Sequence, residues 1–158
     1  RMCDYLNSGF KAKNVISLVN QITKRIEIEV LRDRERWEDS MLYVQKGERL
    51  NWIKAYALER PKFIREHIID YFRLENGISD IQVVQNINMG HIKINSIEIN
   101  DSVWTGKYIE NIPIQIEAIP NKGYVFEKWK SQRLPQKPII KVNIKKNKKF
   151  IPIFKKIE

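Results

Sequence analysis

Several groups of residues in this chain are of types that could do chemistry. The aromatics Trp104, Tyr108, Tyr124, Phe126 and Trp129 could stack on sugars or nucleobases. The lysine run Lys141, Lys145, Lys146, Lys148 and Lys149, with Lys155 and Lys156 beyond it, could bind a phosphate polymer. The carboxylates Asp33, Glu35, Glu38 and Asp39 could ligate a metal ion. His67, His91 and Cys3 are scattered singly through the chain.

Each group also has a plainer role. Aromatics at strand spacing fill cores, and Phe126 and Trp129 fit that role better than Tyr108 and Tyr124. Trp37 and Trp52 read as helix-packing residues. Lysines on edge strands prevent edge-to-edge aggregation, so Lys141, Lys145, Lys146, Lys148 and Lys149 make at most a weak anion-binding face. The acidic group is interleaved with arginines and reads as surface ion pairs. His67 falls on the apolar side of a helix, as an interface histidine would, and the two histidines have no metal-ligand spacing. A single cysteine excludes an internal disulfide and a cysteine-rich zinc site. No nucleophile–base pair, glycine-rich phosphate loop, lysine–glutamate pair in a strand–helix context or Asp-rich metal motif can be assembled. The expectation is therefore no catalytic, cofactor-binding or metal-binding residue.

Composition sets the frame for these groups. The 158 residues suffice for one ordinary domain or two small ones, and 42% apolar content supports a packed core. The net charge of +10 favours anionic partners without identifying them. Residues 76–158 hold 14 basic against 7 acidic side chains, and residues 1–75 hold 15 against 12, so the excess lies in the second part. No run approaches the roughly 20 apolar residues of a membrane helix, and membrane insertion is not expected. The chain begins at Arg1, shows no signal peptide and reads as a piece of a longer one.

The first part has the period of helices. Asn7-Ser8-Gly9 is a turn in which Ser8 could cap the helix after it. Val15, Leu18, Val19, Ile22, Ile26 and Val30 form an apolar stripe that predicts a helix from Asn14. That helix either reaches Val44 or breaks at Glu38-Asp39-Ser40, and Lys46-Gly47 ends it. A second helix is expected over 48–58. Pro61 then opens a third that carries Phe63, Ile64, Ile68, Tyr71 and Phe72 and stops at Asn76-Gly77. Short connections between three helices imply an antiparallel arrangement.

After Gly77 the period changes to two. Ile81 and Val83, then Ile92 and Ile94, then Ile97 and Ile99 alternate with polar residues across turns at Met89-Gly90 and Asn95-Ser96. Ile112, Ile114, Ile116 and Ala118 alternate with Pro113, Gln115 and Glu117 before the turn Pro120–Gly123. Tyr124, Phe126 and Trp129 come after it, which predicts a hairpin whose arms share one apolar face. Ile140, Val142 and Ile144 form a further strand, and Pro152 marks the last one as an edge. The fold class is α+β: a helical segment over 1–77, then a small, mainly antiparallel β domain of five or six strands over 78–158.

Two sets of residues carry a resemblance. Gly90–Asn95 reads GHIKIN, and Trp104, Gly106 and Tyr108 make W-x-G-x-Y. Ala118 to Trp129 makes A-x-P-x-x-G-Y-x-F-x-x-W, and the end is F-x-P-x-F. This resembles the divergent bacterial β repeat related to the internalin-type B repeat. Arg36-Trp37 after a long amphipathic helix, then Trp52 and Arg60-Pro61, resembles the C-terminal end of the spore-coat-protein-H (CotH) kinase family, in which such a β module commonly comes next. Pro152 departs from the small residue usual in the module's last strand. The resemblance implies a non-catalytic C-terminal region of an atypical protein kinase, with no cofactor of its own. Its partners would be the upstream kinase-like domain of the same chain and other surface or coat proteins, at an extracytoplasmic or cell-surface location. A basic nucleic-acid-binding module is the alternative, although specific nucleic-acid recognition is not expected.

Overall fold

The computed structural model of the protein describes residues 1–37, 40–75 and 77–157, with the side chains of 34, 37 and 40–47 outside that description. Three helices precede nine strands among these residues: α1 (Met2–Asn7), α2 (Ala12–Trp37) and α3 (Ser40–Tyr71), then β1 (Ile78–Val84), β2 (Gly90–Ile94), β3 (Ile97–Ile99), β4 (Val103–Ile109), β5 (Pro113–Pro120), β6 (Tyr124–Trp129), β7 (Ile139–Asn143), β8 (Lys148–Phe150) and β9 (Pro152–Lys156). The α+β order expected from the change of period is the order found. The strands outnumber the expected five or six because β8 holds three residues, too few to display an alternation, and the inward positions of β4 include a glycine, Gly106, that interrupts its apolar pattern.

The helices differ from expectation in their boundaries. The spacing predicts two helices, over 48–58 and from Pro61, yet α3 runs through Gly47 and Pro61 without interruption. Proline removes one intrahelical hydrogen bond and crowds the carbonyl four residues back, where small Ala57 stands. The good helix formers on both sides carry the helix across. Arg65 Nη1 donates to the Pro61 carbonyl at 2.8 Å. Helix α3 also stops before Gly77: Arg73 adopts φ 50°, its N–H reaches the Asp70 carbonyl at 3.1 Å, and the Leu74 N–H reaches Ile69 at 2.9 Å. That pair of bonds is a Schellman ending built without glycine. At the other end, α2 starts at Ala12 and not behind a Ser8 cap; the Ser8 carbonyl instead accepts from Lys11 N and Asn14 Nδ2.

The strands form three sheets. One has the order β4-β1-β8, with β1–β4 antiparallel and β1–β8 parallel. The second, β3-β2-β5-β7, is wholly antiparallel, and β6 pairs with β9 in the third. The hairpin predicted around Gly123 is corrected here. Gly123 does take a positive φ of 85°, but β5 pairs with β2 and β7 while β6 leaves to pair with β9. Pro152 begins β9 opposite Trp129, on a strand with one partner, where its missing N–H is tolerated. Inward-facing Ile81, Ile92, Ile94, Ile116, Ile144, Trp129 and Phe150 are fully buried and bind the sheets into one core. By packing, Arg1–Asn7 together with Ile69–Glu158 make one compact unit and Ser8–Ile68 another. The first residues, grouped by sequence with the helices, thus join the strands, and in chain order the helical unit falls between two stretches that belong to the β unit.

Candidate interaction surfaces

Strand alternation sends one side chain of each pair inward, and β4 sends Trp104, Gly106 and Tyr108. Trp104 and Tyr108 are buried, and Trp129 is 1% exposed. The Trp104 ring lies over Gly106, where an added Cβ would come within 2.2 Å of it. Gly90 of the GHIKIN motif is similarly constrained, its added Cβ 2.6 Å from both the Phe154 ring and the Ile119 carbonyl. Trp129 meets Phe126 at 5.4 Å and Phe150 at 6.2 Å between ring centroids, and its indole N–H donates to the Lys137 carbonyl at 2.8 Å. Phe126 and Tyr124 are half-buried. The aromatic set is therefore core for its three largest contributors, and no exposed stacking platform can be made from Trp104, Tyr108 or Trp129.

The lysines do reach the surface. Lys141 on β7, Lys145 and Lys146 in the following turn, and Lys148 and Lys149 on β8 are all exposed, and none has an acidic partner among the described residues. Strand β7 ends the four-stranded sheet and β8 ends the three-stranded one. Between Lys128 and Ile157 the sequence places 11 basic and no acidic residues. The positive charge thus decorates sheet edges, which suits both anti-aggregation and diffuse attraction of polyanions.

A buried polar cluster joins α1 to the strands. Asp4 is 3% exposed; its carboxylate accepts from Tyr108 Oη and from Asn95 Nδ2, each at 3.0 Å. Asn7 is 5% exposed, donates from Nδ2 to the Lys107 carbonyl at 2.9 Å and accepts the Lys107 N–H on Oδ1 at 3.0 Å. Burial first, then the Asp4 charge and hydrogen bond, push the Tyr108 phenol well above its ordinary range. Sequence reasoning did not find this cluster, because its members stand 91 to 104 residues apart.

The helical unit reverses the expectation for Trp52. Its side chain is 75% exposed, not packed. Tyr56 and Phe63, at offsets of one and three turns, share its stripe and are 61% and 43% exposed. The Arg60 guanidinium sits over the Tyr56 ring, 5.6 Å from its centroid. Ala57 and Arg65, on another side of α3, are buried. The signal was present in the sequence, since a helix with two apolar stripes must offer one of them elsewhere. His67 is exposed, which corrects its interface placement, and His91 is half-buried on β2. Glu29 pairs with Arg32 at 2.7 Å on exposed α2 surface. Trp37's side chain and residues Glu38 and Asp39 lie outside the described residues. Among the described residues, no helix is long and apolar enough to cross a membrane.

In comparison with known proteins, the chain matches no family model, no curated protein and no solved structure.

Proposed function

We propose that this chain is a non-catalytic interaction region, the C-terminal part of a CotH-like atypical protein kinase, in which the β unit is an accessory positioning module and the helical unit meets a protein partner. The observation that carries this reading is the sorting of aromatics. The β unit buries Trp104, Tyr108 and Trp129, while α3 holds Trp52, Tyr56 and Phe63 out in one stripe beside Arg60. Trp, Tyr and Arg are the types that dominate protein–protein hot spots. The resemblance of Arg36-Trp37, Trp52 and Arg60-Pro61 to the end of the CotH family suggests the partner: the kinase-like domain of the same parent chain, with other surface or coat proteins as further candidates. An extracytoplasmic or cell-surface location rests on the same resemblance.

Calorimetric titration of this chain with a separately produced CotH-type kinase-like domain tests the proposal. Saturable binding is expected, weakened at least tenfold by Trp52→Ala or Tyr56→Ala, a loss of about 1.4 kcal/mol or more. These exposed positions should leave the melting temperature unchanged, so a loss of binding is not a loss of fold. Binding indifferent to both substitutions, or no binding, overturns the proposal. Titration with ATP and magnesium should give no heat; micromolar affinity there would instead favour an enzyme. The alternative, a basic nucleic-acid-binding module, is favoured by the acid-free stretch from Lys128 to Ile157.

A further inference from the structure

The connection from β7 to β8 concentrates charge on a fixed piece of backbone. Residues 145–149 read Lys-Lys-Asn-Lys-Lys, and all five are exposed. A run of this length spans at most roughly 17 Å when extended. Adjacent lysines in it fall within the Debye length of about 8 Å at physiological salt, so the four charges repel one another. A free loop would relieve that repulsion by spreading, but this one is held. Ile144 before it and Phe150 after it are fully buried. The Ile144 carbonyl accepts the Asn111 N–H at 2.7 Å. Asn147, the one uncharged member, accepts the Asp80 N–H on Oδ1 at 2.8 Å. Lys148 and Lys149 then pair along β1 with Ile81 and Gln82. The acidic side chains on the neighbouring segments are engaged elsewhere: Asp80 pairs with Lys107 at 2.8 Å, and Glu110 accepts the Ser79 hydroxyl. Edge protection accounts for Lys148 and Lys149, which lie on the outer strand of their sheet. It does not account for Lys145 and Lys146, which precede the ladder.

We propose that this turn is the anchoring contact of the β unit and that its ligand is a linear phosphate polymer without bases. Lysine is a point charge with no planar fork, so it reads charge density and not the shape of a base. Stacking on bases takes exposed aromatics, and Trp104, Tyr108 and Trp129 are buried. The turn has no apolar side chain to enter a lipid interface. Exposed ion pairs are individually weak, so a single phosphate ion gains little there. Linked phosphates add their contacts, because each one bound raises the local concentration of the next. The 11 basic and no acidic residues between Lys128 and Ile157 surround the turn in the sequence with charge of the same sign. The proposal rests on reading the β unit as a positioning module. Its test uses neither the kinase-like domain nor α3, so the two readings fail separately.

Fluorescence anisotropy of dye-tagged long-chain inorganic polyphosphate, titrated with the full chain over a salt series, tests the proposal. Saturable binding is expected, with log affinity falling on log salt at a slope of about −2.8, as for four phosphates on a flexible strand. Lys145→Gln/Lys146→Gln/Lys148→Gln/Lys149→Gln should weaken binding at least tenfold while keeping its strand circular dichroism. Lys13→Gln/Lys24→Gln/Arg25→Gln/Lys122→Gln removes the same charge from exposed positions elsewhere, and should leave the affinity within about threefold. Equal losses from the two variants would mean diffuse attraction and overturn the proposal, as would no binding by the unaltered chain. A folded turn variant that aggregates yet binds as before assigns the lysines to edge protection and also overturns it. Should the turn variant fail to fold, Lys146→Gln and Lys148→Gln singly decide: each should reduce the steepness of the salt slope by about 0.7, and an unchanged slope refutes the contact. Tighter binding of a mixed single-stranded DNA pool, or of phosphatidylglycerol vesicles, at equal phosphate concentration overturns the proposal in favour of a nucleic acid or a membrane surface.

Discussion

Replacing Trp129 by alanine probes the β unit at its most enclosed point. The side chain is 1% exposed. Burying an indole removes roughly 150–250 Å² from water, which at about 25 cal/mol per Å² is an upper bound of about 4–6 kcal/mol. Alanine returns little of that. The ring contacts with Phe126 and Phe150 are each worth about 0.5–1.5 kcal/mol beyond area, and the indole bond to the Lys137 carbonyl about as much again. Partial collapse of the cavity offsets some of the sum, so the expected destabilisation is about 3–5 kcal/mol, as for other large-to-small aromatic changes in cores. Against a total of about 5–15 kcal/mol this leaves the unit close to unfolding. Urea unfolding followed by the methyl resonances of Ile92, Ile116 and Ile144 reads the unit directly, since all three side chains are fully buried there. With a slope of about 2 kcal/mol per molar, the midpoint should fall by about 2 M. Trp129→Phe keeps a ring against Phe150 and loses the hydrogen bond, and should cost only about 1–2 kcal/mol. A shift below about 1 kcal/mol for the alanine variant, or equal shifts for both, would refute the reasoning. The first outcome returns Trp129 to the surface, and the second removes the ring's packing from the account.

Three further outcomes are expected from the same geometry. The Tyr108 phenol ionises at higher pH folded than unfolded. Above about pH 10 the unfolded chain therefore releases a proton the folded one keeps, and stability falls with rising pH by up to about 1.4 kcal/mol per unit. Tyr108→Phe should remove that slope from alkaline denaturation midpoints; identical slopes would contradict the buried Asp4–Tyr108 pair. Gly106→Ala should lower the melting point by an amount corresponding to about 1–3 kcal/mol, because a Cβ within 2.2 Å of the Trp104 ring displaces it. The same substitution should be nearly neutral in a Trp104→Ala background, and additivity there would sink the argument. Finally, the basic excess of residues 76–158 is lysine at every position but Arg133. A mobility-shift assay at about 150 mM salt should show at most weak, sequence-indifferent nucleic-acid binding. Submicromolar, selective binding there would promote the nucleic-acid reading over the accessory module.

What the sequence discloses of this fold divides by the range over which each structural choice is made. The alternations around Ile92 and Ile94, Ile114 and Ile116, and Ile140 and Val142 name buried faces correctly, since the direction of a side chain on a strand depends on its neighbours alone. Which strand lies beside which depends on the whole core. A turn at Gly123 is visible and real, yet it delivers Tyr124–Trp129 to β9 because Phe126 and Trp129 pack against Phe154 and Phe150. The same distinction explains Pro61 and Arg73. Proline and Asn-Gly are local stop signals, and α3 overrides one through its flanking turns and ends before the other on a Schellman pair.

The surfaces obey this division as well. The lysine edges are legible because charge needs no partner to be seen. The Trp52 stripe is half legible: its spacing is plain, but a stripe facing solvent and a stripe facing the core have the same spacing, and only burial tells them apart. The Asp4–Asn7 contacts carry no sequence signal at all, because Asn7 acts on Lys107 by imitating a backbone, a role open to any asparagine that tertiary structure happens to bring there. This is why the residues whose types suggest chemistry, the aromatics and the carboxylates, are not the informative ones. Trp104 and Trp129 serve packing, whereas a short amide at position 7 satisfies both backbone groups of Lys107 on β4.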